Sequence, residues 1–290
     1  MLDFRLKVFK SVATNLSFTK ASNELFITQP AVTKHIKELE AEFGIKLFDR
    51  IGNKIALTEA GRLVLLYAGQ ISTLHNDLLF ELSRLRGTNE GNLRVGASTT
   101  IAQYVLPAAL ALFHEAYPGI SLSLMNGNTE YIEKRLLNNE IDLGIVEGKP
   151  TNNDIRYSNF IDDELLVFTS SKNKAIPNLL TKDDFLKLPL ILRERGSGTL
   201  AIIRKALQSA DINPKDLKVQ MHLGSTESIK SYIKAGNGIG IVSRYAIEHE
   251  LQSGMFRLLS IEGLSFRRRF YFISPQGPEF QGQAKLFVSF

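Results

Sequence analysis

Residues 17–43, SFTKASNELFITQPAVTKHIKELEAEF, constrain this chain more than any other stretch, because two short helices joined by a tight turn pack in few ways. Thr28 is placed to cap the second helix, with Gln29 and Pro30 in its first turn, where a proline is tolerated. Val32, Ile36, Leu39 and Phe43 then recur at helical spacing and make one apolar face. The opposite face carries Gln29, Thr33, Lys34 and Lys37, groups able to reach base edges and phosphates in a major groove. The preceding helix, near residues 18–25, offers Ala21 and Leu25 for burial, and Phe26 and Ile27 are expected to pack beneath the turn. Two helices this short cannot bury a core alone. Leu6, Phe9, Val12 and Ala13 of an amphipathic first helix are expected to close a three-helix unit.

Residues beyond this unit extend the pattern. Gly52-Asn53 is a turn signal between KLFDR and KIALT, consistent with a short hairpin whose Arg50 and Lys54 flank the turn. Taken alone these two are solvated loop charges or phosphate grips. Residues 18–61 resemble the N-terminal winged helix-turn-helix of the LysR-type transcriptional regulators: SFTKAS-x2-L, TQPAVTKHIKELE, FGIKLFDR and LTEAG stand in that family's order and spacing. Ser22, Thr33 and Asn53 depart from its usual residues. The resemblance implies double-stranded promoter DNA as partner, with Gln29, Pro30, Thr33, Lys34, Lys37, Arg50 and Lys54 in contact with it and RNA polymerase as a further candidate partner.

Thr58 to Arg86 reads as one long helix, capped by Thr58 and with Gly61 tolerated in its first turn. Ala60, Val64, Tyr67, Ile71, Leu74 and Leu78 form a heptad seam along a rod of roughly 40 Å, which predicts a dimerisation helix. GTNEG at 87–91 ends it as a short hinge.

From Asn92 strands and helices alternate. LRVGA, ISLSLM and IDLGIV are strands separated by helices over 100–116 and 129–138, a βαβαβ unit. The alternation returns after Glu164 with ELLVFTS, LPLILR, LKVQMHL and GIGIVS, and RRRFYFIS at 267–274 is a last strand before a terminal helix. A chain that crosses between two α/β lobes near 160 and 266 makes a cleft. This half resembles the same family's effector-binding domain, which has the fold of periplasmic solute-binding proteins. The fold class expected is therefore α/β with an N-terminal winged helix-turn-helix, a long linker helix and a two-lobed periplasmic-binding-protein-like effector domain. The expected domains are 1–58, 59–91 and 92–290, with lobe I at 92–161 and 266–290 and lobe II at 162–265.

Ligands of open α/β sheets sit at the carboxyl ends of strands against helix N-termini, which favour anions. That rule selects Ser98-Thr99-Thr100, Gly127-Asn128-Thr129 and Gly196-Ser197-Gly198-Thr199. Each hydroxyl can equally be an ordinary helix cap. In the family such hydroxyls line the cleft between lobes, which implies effector contacts at Ser98, Thr100, Thr129, Ser197 and Thr199. With Arg193 and Arg195 beside the last group, a small anionic metabolite is expected: a carboxylate, a sulfur oxyanion or a phosphorylated compound.

Composition excludes several classes. The chain has no cysteine, so disulfides, thiolate zinc sites and cysteine nucleophiles are absent. Its five histidines show no ligand spacing, Gly236-x-Gly-x-Gly240 enters a strand instead of opening a helix, and Ser197 lacks a nucleophile-elbow pattern. No cofactor and no enzymatic activity are expected. The N-terminus is not a signal peptide and no run is long enough to span a bilayer, so the expected location is the cytoplasm. Residues 1–62 carry 10 Lys/Arg against 7 Asp/Glu, a bias toward a polyanion partner. Arg267-Arg268-Arg269 reads as the solvated edge of a strand, with a phosphate patch as the alternative. The reading is a homodimeric or homotetrameric, ligand-responsive transcriptional regulator; the alternative is an α/β solute-binding or enzymatic protein with a helical dimerisation head.

Overall fold

Side-chain caps set where the first four helices begin. The computed structural model describes residues 3–52, 54–148, 152–277 and 280–290, which form two compact units, 1–91 and 92–290. In the first, α1 (Phe4–Asn15), α2 (Phe18–Leu25) and α3 (Gln29–Phe43) precede a hairpin, β1 (Phe48–Ile51) and β2 (Lys54–Leu57), and a 27-residue helix, α4 (Glu59–Leu85). Asp3, Ser17, Thr28 and Thr58 each accept a hydrogen bond from a backbone N–H of the first turn that would otherwise lack a partner. Val8, Phe9 and Val12 of α1, Ala21 of α2, and Val32, Ile36 and Leu39 of α3 then meet in one core with Leu47.

Two expectations for this unit fail. Phe26 caps α2 in the left-handed region at φ 55° and is 95% exposed, so only Ile27 packs under the turn. Phe43 at the end of α3 is also exposed, because the helix outruns the core it lies on. Along α4 the first turns pack on the core through Ala60, Val64 and Leu65, whereas Tyr67, Ile71, Leu74 and Leu78 are exposed, Leu74 by 67%.

A single carboxylate fastens α3 to the hairpin. Glu40 accepts from the Leu47 backbone N–H at 2.9 Å and from Lys46 Nζ at 2.7 Å. Burial pushes its carboxyl up, but those two donors outweigh burial and hold it below the ordinary carboxylate range. At the other end of the hairpin Thr58 donates to the Lys46 carbonyl at 2.8 Å, and Gly61 approaches Leu47 so closely that a Cβ there would lie 2.1 Å from its carbonyl oxygen. Gly61 is therefore required, not merely tolerated.

The second unit contains β3 (Gly91–Ser98), α5 (Leu106–Ala116), β4 (Ile120–Gly127), α6 (Thr129–Leu137), β5 (Leu143–Glu147), β6 (Ile155–Ser170), β7 (Leu179–Leu180), α7 (Lys182–Lys187), β8 (Leu190–Arg193), α8 (Gly198–Ser209), β9 (Val219–Leu223), α9 (Thr226–Ala235), β10 (Ile239–Ser243), α10 (Arg244–Gln252), β11 (Phe256–Ile261), β12 (Phe266–Pro275) and α11 (Gly282–Ser289). Its strands run in the order β4-β3-β5-β12-β6-β10-β8-β9, with β11 beside β6 and β7 beside β11. The long β6 and β12 pair antiparallel at the centre, from Phe266 opposite Leu165 to Pro275 opposite Ile155, and join the two lobes. Separate apolar cores fill each lobe, one around Ile132, Leu136 and Ile273, others around Phe185 and Ile203 and around Phe168 and Ile229.

The arginine run corrects the sequence reading. β12 lies between β5 and β6, not at an edge, and Arg268 shares its inward face with Phe266 and Phe270. Arg267 and Arg269 point to the exposed side, where Arg269 pairs with Asp162 at 2.6 Å. A second difference concerns the helix expected from Thr100. Residues Ile101–Val105 form a π-helical turn in which the Leu106 N–H reaches back to the Ile101 carbonyl; Pro107 follows, with no N–H to donate.

Two substitutions test these fastenings. Glu40→Gln should cost about 1 kcal/mol at neutral pH, the difference between a charged and a neutral acceptor. Because the Glu40 carboxyl is held low in the folded state, its contribution exists above the usual carboxylate range and is lost as pH falls through the folded value. The gap between variant and wild type should therefore narrow in urea melts as pH is lowered below the ordinary carboxylate range; a gap that does not change with pH contradicts this account. Gly61→Ala should destabilise residues 1–91 by about 1–3 kcal/mol in the same melts.

Candidate nucleic-acid interface and effector cleft

Burial of Val32, Ile36 and Leu39 turns the remaining face of α3 outward. Gln29, Pro30, Lys34 and Lys37 are exposed and Thr33 is half-buried. Gln29 Nε2 donates to Thr33 Oγ1 at 3.1 Å, and that hydroxyl in turn donates to the Gln29 carbonyl, so the two polar side chains are held together one turn apart. Lys34 lies 3.8 Å from Glu38, an exposed pair that constrains it little. The result is a row of one amide and one hydroxyl held in place, with two exposed ammonium groups beside them, on a helix whose other side is fixed. Such a row can read base edges with its amide and hydroxyl and meet phosphates with its lysines. Arg50 and Lys54 sit on β1 and β2 in a hairpin whose register pairs Arg50 with Ile55 and Ile51 with Lys54; their side chains, and Asn53, lie outside the described residues.

In the second unit the three hydroxyl-bearing segments converge where the lobes meet. Ser98 ends β3, Thr100 follows it, Thr129 opens α6, and Ser197 and Thr199 open α8. Ser98, Thr100, Ser197 and Thr199 are buried, and Thr129 is half-buried. The glycines of the Gly-Ser-Gly-Thr run explain how lobe II comes so close: a Cβ on Gly198 would lie 2.4 Å from the Glu147 carbonyl oxygen and 2.8 Å from Thr129 Oγ1. None of these hydroxyls is a simple helix cap. Asn128 caps α6, and Ser197 makes no capping hydrogen bond.

Glu147, at the end of β5, is the group they surround. Its carboxylate accepts from Ser98 Oγ at 3.1 Å and from Thr199 Oγ1 at 2.8 Å, while its carbonyl accepts from Thr129 Oγ1 at 3.0 Å. Arg268 Nη1 lies 3.1 Å from the same carboxylate and donates to Thr199 Oγ1 at 2.9 Å. Arg268 Nε donates to Asp163 at 2.6 Å, and Asp163 also accepts from Ser243 at 2.9 Å. Burial pushes the Glu147 carboxyl up, but Arg268, Arg193 and the two hydroxyls outweigh it and hold the group below the ordinary carboxylate range. Ser98, Thr129 and Thr199 thus spend their protons on Glu147. Ser197 Oγ is buried with no hydrogen-bond partner, as is Arg268 Nη2.

A second buried arginine, Arg193, stands on the same floor. Arg193 forms a bidentate pair with Glu194, Nε to Oε2 at 2.9 Å and Nη2 to Oε1 at 3.1 Å, and reaches Thr99 of lobe I at 3.3 Å and Thr226 at 3.4 Å. In front lies a cavity of about 410 Å³ whose walls include Thr99, Gln103, Asn128, Tyr131, Glu194 and Ser225. Beside it the Tyr104 hydroxyl donates to Glu227 across the lobes, and Lys230 pairs with Glu227 at 2.8 Å and Glu250 at 2.6 Å.

Sequence reasoning passed over Glu147 and Asp163 and read Arg268 as solvated. The signal for Arg268 was its place two residues from Phe266 and Phe270, which puts it on their face of a strand. For Glu147 it was an acid ending a strand, Leu143–Glu147, that is buried throughout.

Comparison with known proteins covers both units. The family described as "Bacterial regulatory helix-turn-helix protein, lysR family" matches residues 4–62, and "LysR substrate binding domain" matches residues 86–290. The HTH-type transcriptional activator CmpR of Synechocystis sp. (strain ATCC 27184 / PCC 6803 / Kazusa) is 34% identical over 287 residues, 99% of this chain and 93% of CmpR. A probable RuBisCO transcriptional regulator of Phaeodactylum tricornutum is 36% identical, covering 93% of this chain and 89% of that protein. Among solved structures, the Synechocystis PCC6803 CcmR regulatory domain in complex with 2-PG is 30% identical with a TM-score of 0.61, covering 68% of this chain and 94% of that one. Full-length CbnR complexed with its target DNA shares the fold, at 22% identity and a TM-score of 0.66 over 100% of this chain and 98% of CbnR. The chain therefore belongs to the LysR family: it is a DNA-binding transcriptional regulator and not an enzyme.

Proposed function

We propose that the regulator reads promoter DNA through α3 and the β1–β2 hairpin, and that a small anion held between the lobes of residues 92–290 controls how it does so. Gln29 and Thr33 read base edges, Pro30 fits the helix start against the backbone, and Lys34, Lys37, Arg50 and Lys54 hold phosphates. Two copies pair along the exposed seam of α4, and paired heads read two half-sites with an affinity that one head alone lacks. A dimer, or a tetramer built from it, working on the genome in the cytoplasm and facing RNA polymerase there, is the setting this implies.

The observation that carries the effector reading is the floor of the cleft, where two buried arginines and an unpartnered buried hydroxyl, Ser197, lie between lobes held together by polar contacts. Ser98, Thr100, Thr129, Ser197 and Thr199 all belong to that floor. An anion that binds better when the lobes are closed shifts their equilibrium, and only that difference in affinity can do so. The CcmR domain, which holds 2-PG, makes 2-PG the first compound to test.

Binding of a duplex from the gene's own upstream region should weaken steeply with salt. Gln29→Ala should erase about 1–3 kcal/mol of preference for that duplex over a scrambled one, while Lys37→Ala weakens both alike and lowers the salt slope by about 1. In a thermal-shift assay 2-PG should raise the melting temperature, and Ser197→Ala should reduce that rise. A shift indifferent to Ser197→Ala removes Ser197 from the site, and duplex binding without sequence preference contradicts the role given to α3.

A further inference from the structure

The floor of the cleft has positive charge but nowhere for an anion to use it. Arg193 and Arg268 are paired with Glu147, Asp163 and the partly exposed Glu194, so the cluster carries one more carboxylate than guanidinium. An anion entering beside these groups meets like charge; one that replaces a carboxylate does not. The question is which carboxylate can leave.

Glu147 cannot leave cheaply. It is buried and holds Ser98, Thr199 and Arg268 at once, so removing it strands three donors. Glu194 is different. Its side chain is 28% exposed and lines the cavity, and its partner is Arg193, whose side chain is 1% exposed. Successive strand residues point to opposite faces, yet Glu194, one step past the end of β8, folds back onto Arg193 and meets it fork to fork. Arg193 itself is fixed by Thr99 and Thr226. A buried guanidinium fork is thus covered by a partly exposed carboxylate on the wall of a cavity large enough for a small ligand.

We propose that Glu194 is an internal competitor: in the unliganded regulator its carboxylate occupies the oxyanion seat on Arg193, and the effector enters by displacing it. This rests on the effector reading above and narrows it. The ligand class is a small molecule with one planar or tetrahedral oxyanion, carboxylate or phosphate, that takes both N–H groups of the Arg193 fork, and a short polar body for Gln103, Asn128 and Ser225. Arg193 of lobe II already donates to Thr99 of lobe I, so an oxyanion on its fork binds at a group that joins the two lobes. Self-occupation also sets a threshold, since the apparent affinity is the intrinsic one multiplied by the fraction of molecules with the seat free.

The test is calorimetric titration of the full-length protein with inorganic phosphate, with oxalate and with 2-PG, comparing wild type with Glu194→Gln and Arg193→Gln. Glu194→Gln keeps the shape and removes the competing charge, so Kd should fall about tenfold or more. Arg193→Gln should abolish binding, but as it removes a buried cation the decision rests on Glu194→Gln, whose fold is checked by its melting temperature. Equal or weaker binding by Glu194→Gln, with Ser197→Ala still weakening it, overturns the competitor and leaves the effector site standing. No binding of any of the three compounds to wild type or Glu194→Gln overturns the anion reading itself. A crystal of the phosphate complex should show Glu194 turned away from Arg193; Glu194 still paired with phosphate elsewhere also refutes the proposal.

Discussion

Glu147, Arg268 and Asp163 form a buried charge cluster on which the architecture of residues 92–290 depends. Each ion would be costly to bury alone, and each is accommodated because the others stand within hydrogen-bond distance. The cluster joins four elements: Glu147 ends β5, Asp163 lies in β6, Arg268 in β12, and Thr199 opens α8. It therefore sits where the two lobes are stitched by β6 and β12. Hydrophobic cores hold each lobe separately, but a greasy contact at the junction would tolerate many relative positions. A network of directed bonds tolerates few.

The same division of labour appears in residues 1–91. Apolar burial fixes one side of α3, and the Glu40 carboxylate fixes its end against Lys46 and Leu47, so the outward row of polar groups is held by contacts that face away from it. The short side chain of Thr33 is ordered in the same way, by its hydrogen bonds to Gln29 one turn earlier. The leucines of α4 are a different matter: among the described residues Leu74 and Leu78 stay exposed, so apolar burial holds only the first turns of that helix.

In residues 92–290 the polar groups of the cleft lose their freedom to neighbours remote in sequence. Gly198 shows the limit of this: its missing side chain is what lets α8 touch Glu147 and Thr129. Gly61 does the same between α4 and Leu47. Close approaches of this type fix a geometry without contributing a contact of their own.

What the sequence by itself determined was everything carried by local periodicity and capping. Thr28 and Thr58 start their helices, Val32, Ile36 and Leu39 choose the buried face of α3, and alternating strands and helices announce the α/β body. The hydroxyls at strand ends could be named because a strand end followed by a helix start is a local event. Tertiary structure alone decided what those hydroxyls touch. Glu147, Asp163, Thr199 and Arg268 are far apart along the chain, and whether an arginine in a run of three is solvated or buried depends on which strands flank it. Phe26 tells the same story in reverse, an aromatic that composition would bury and a left-handed cap turns outward. Periodicity records which face of an element is apolar; charge pairing is settled only when distant elements meet and water is excluded between them.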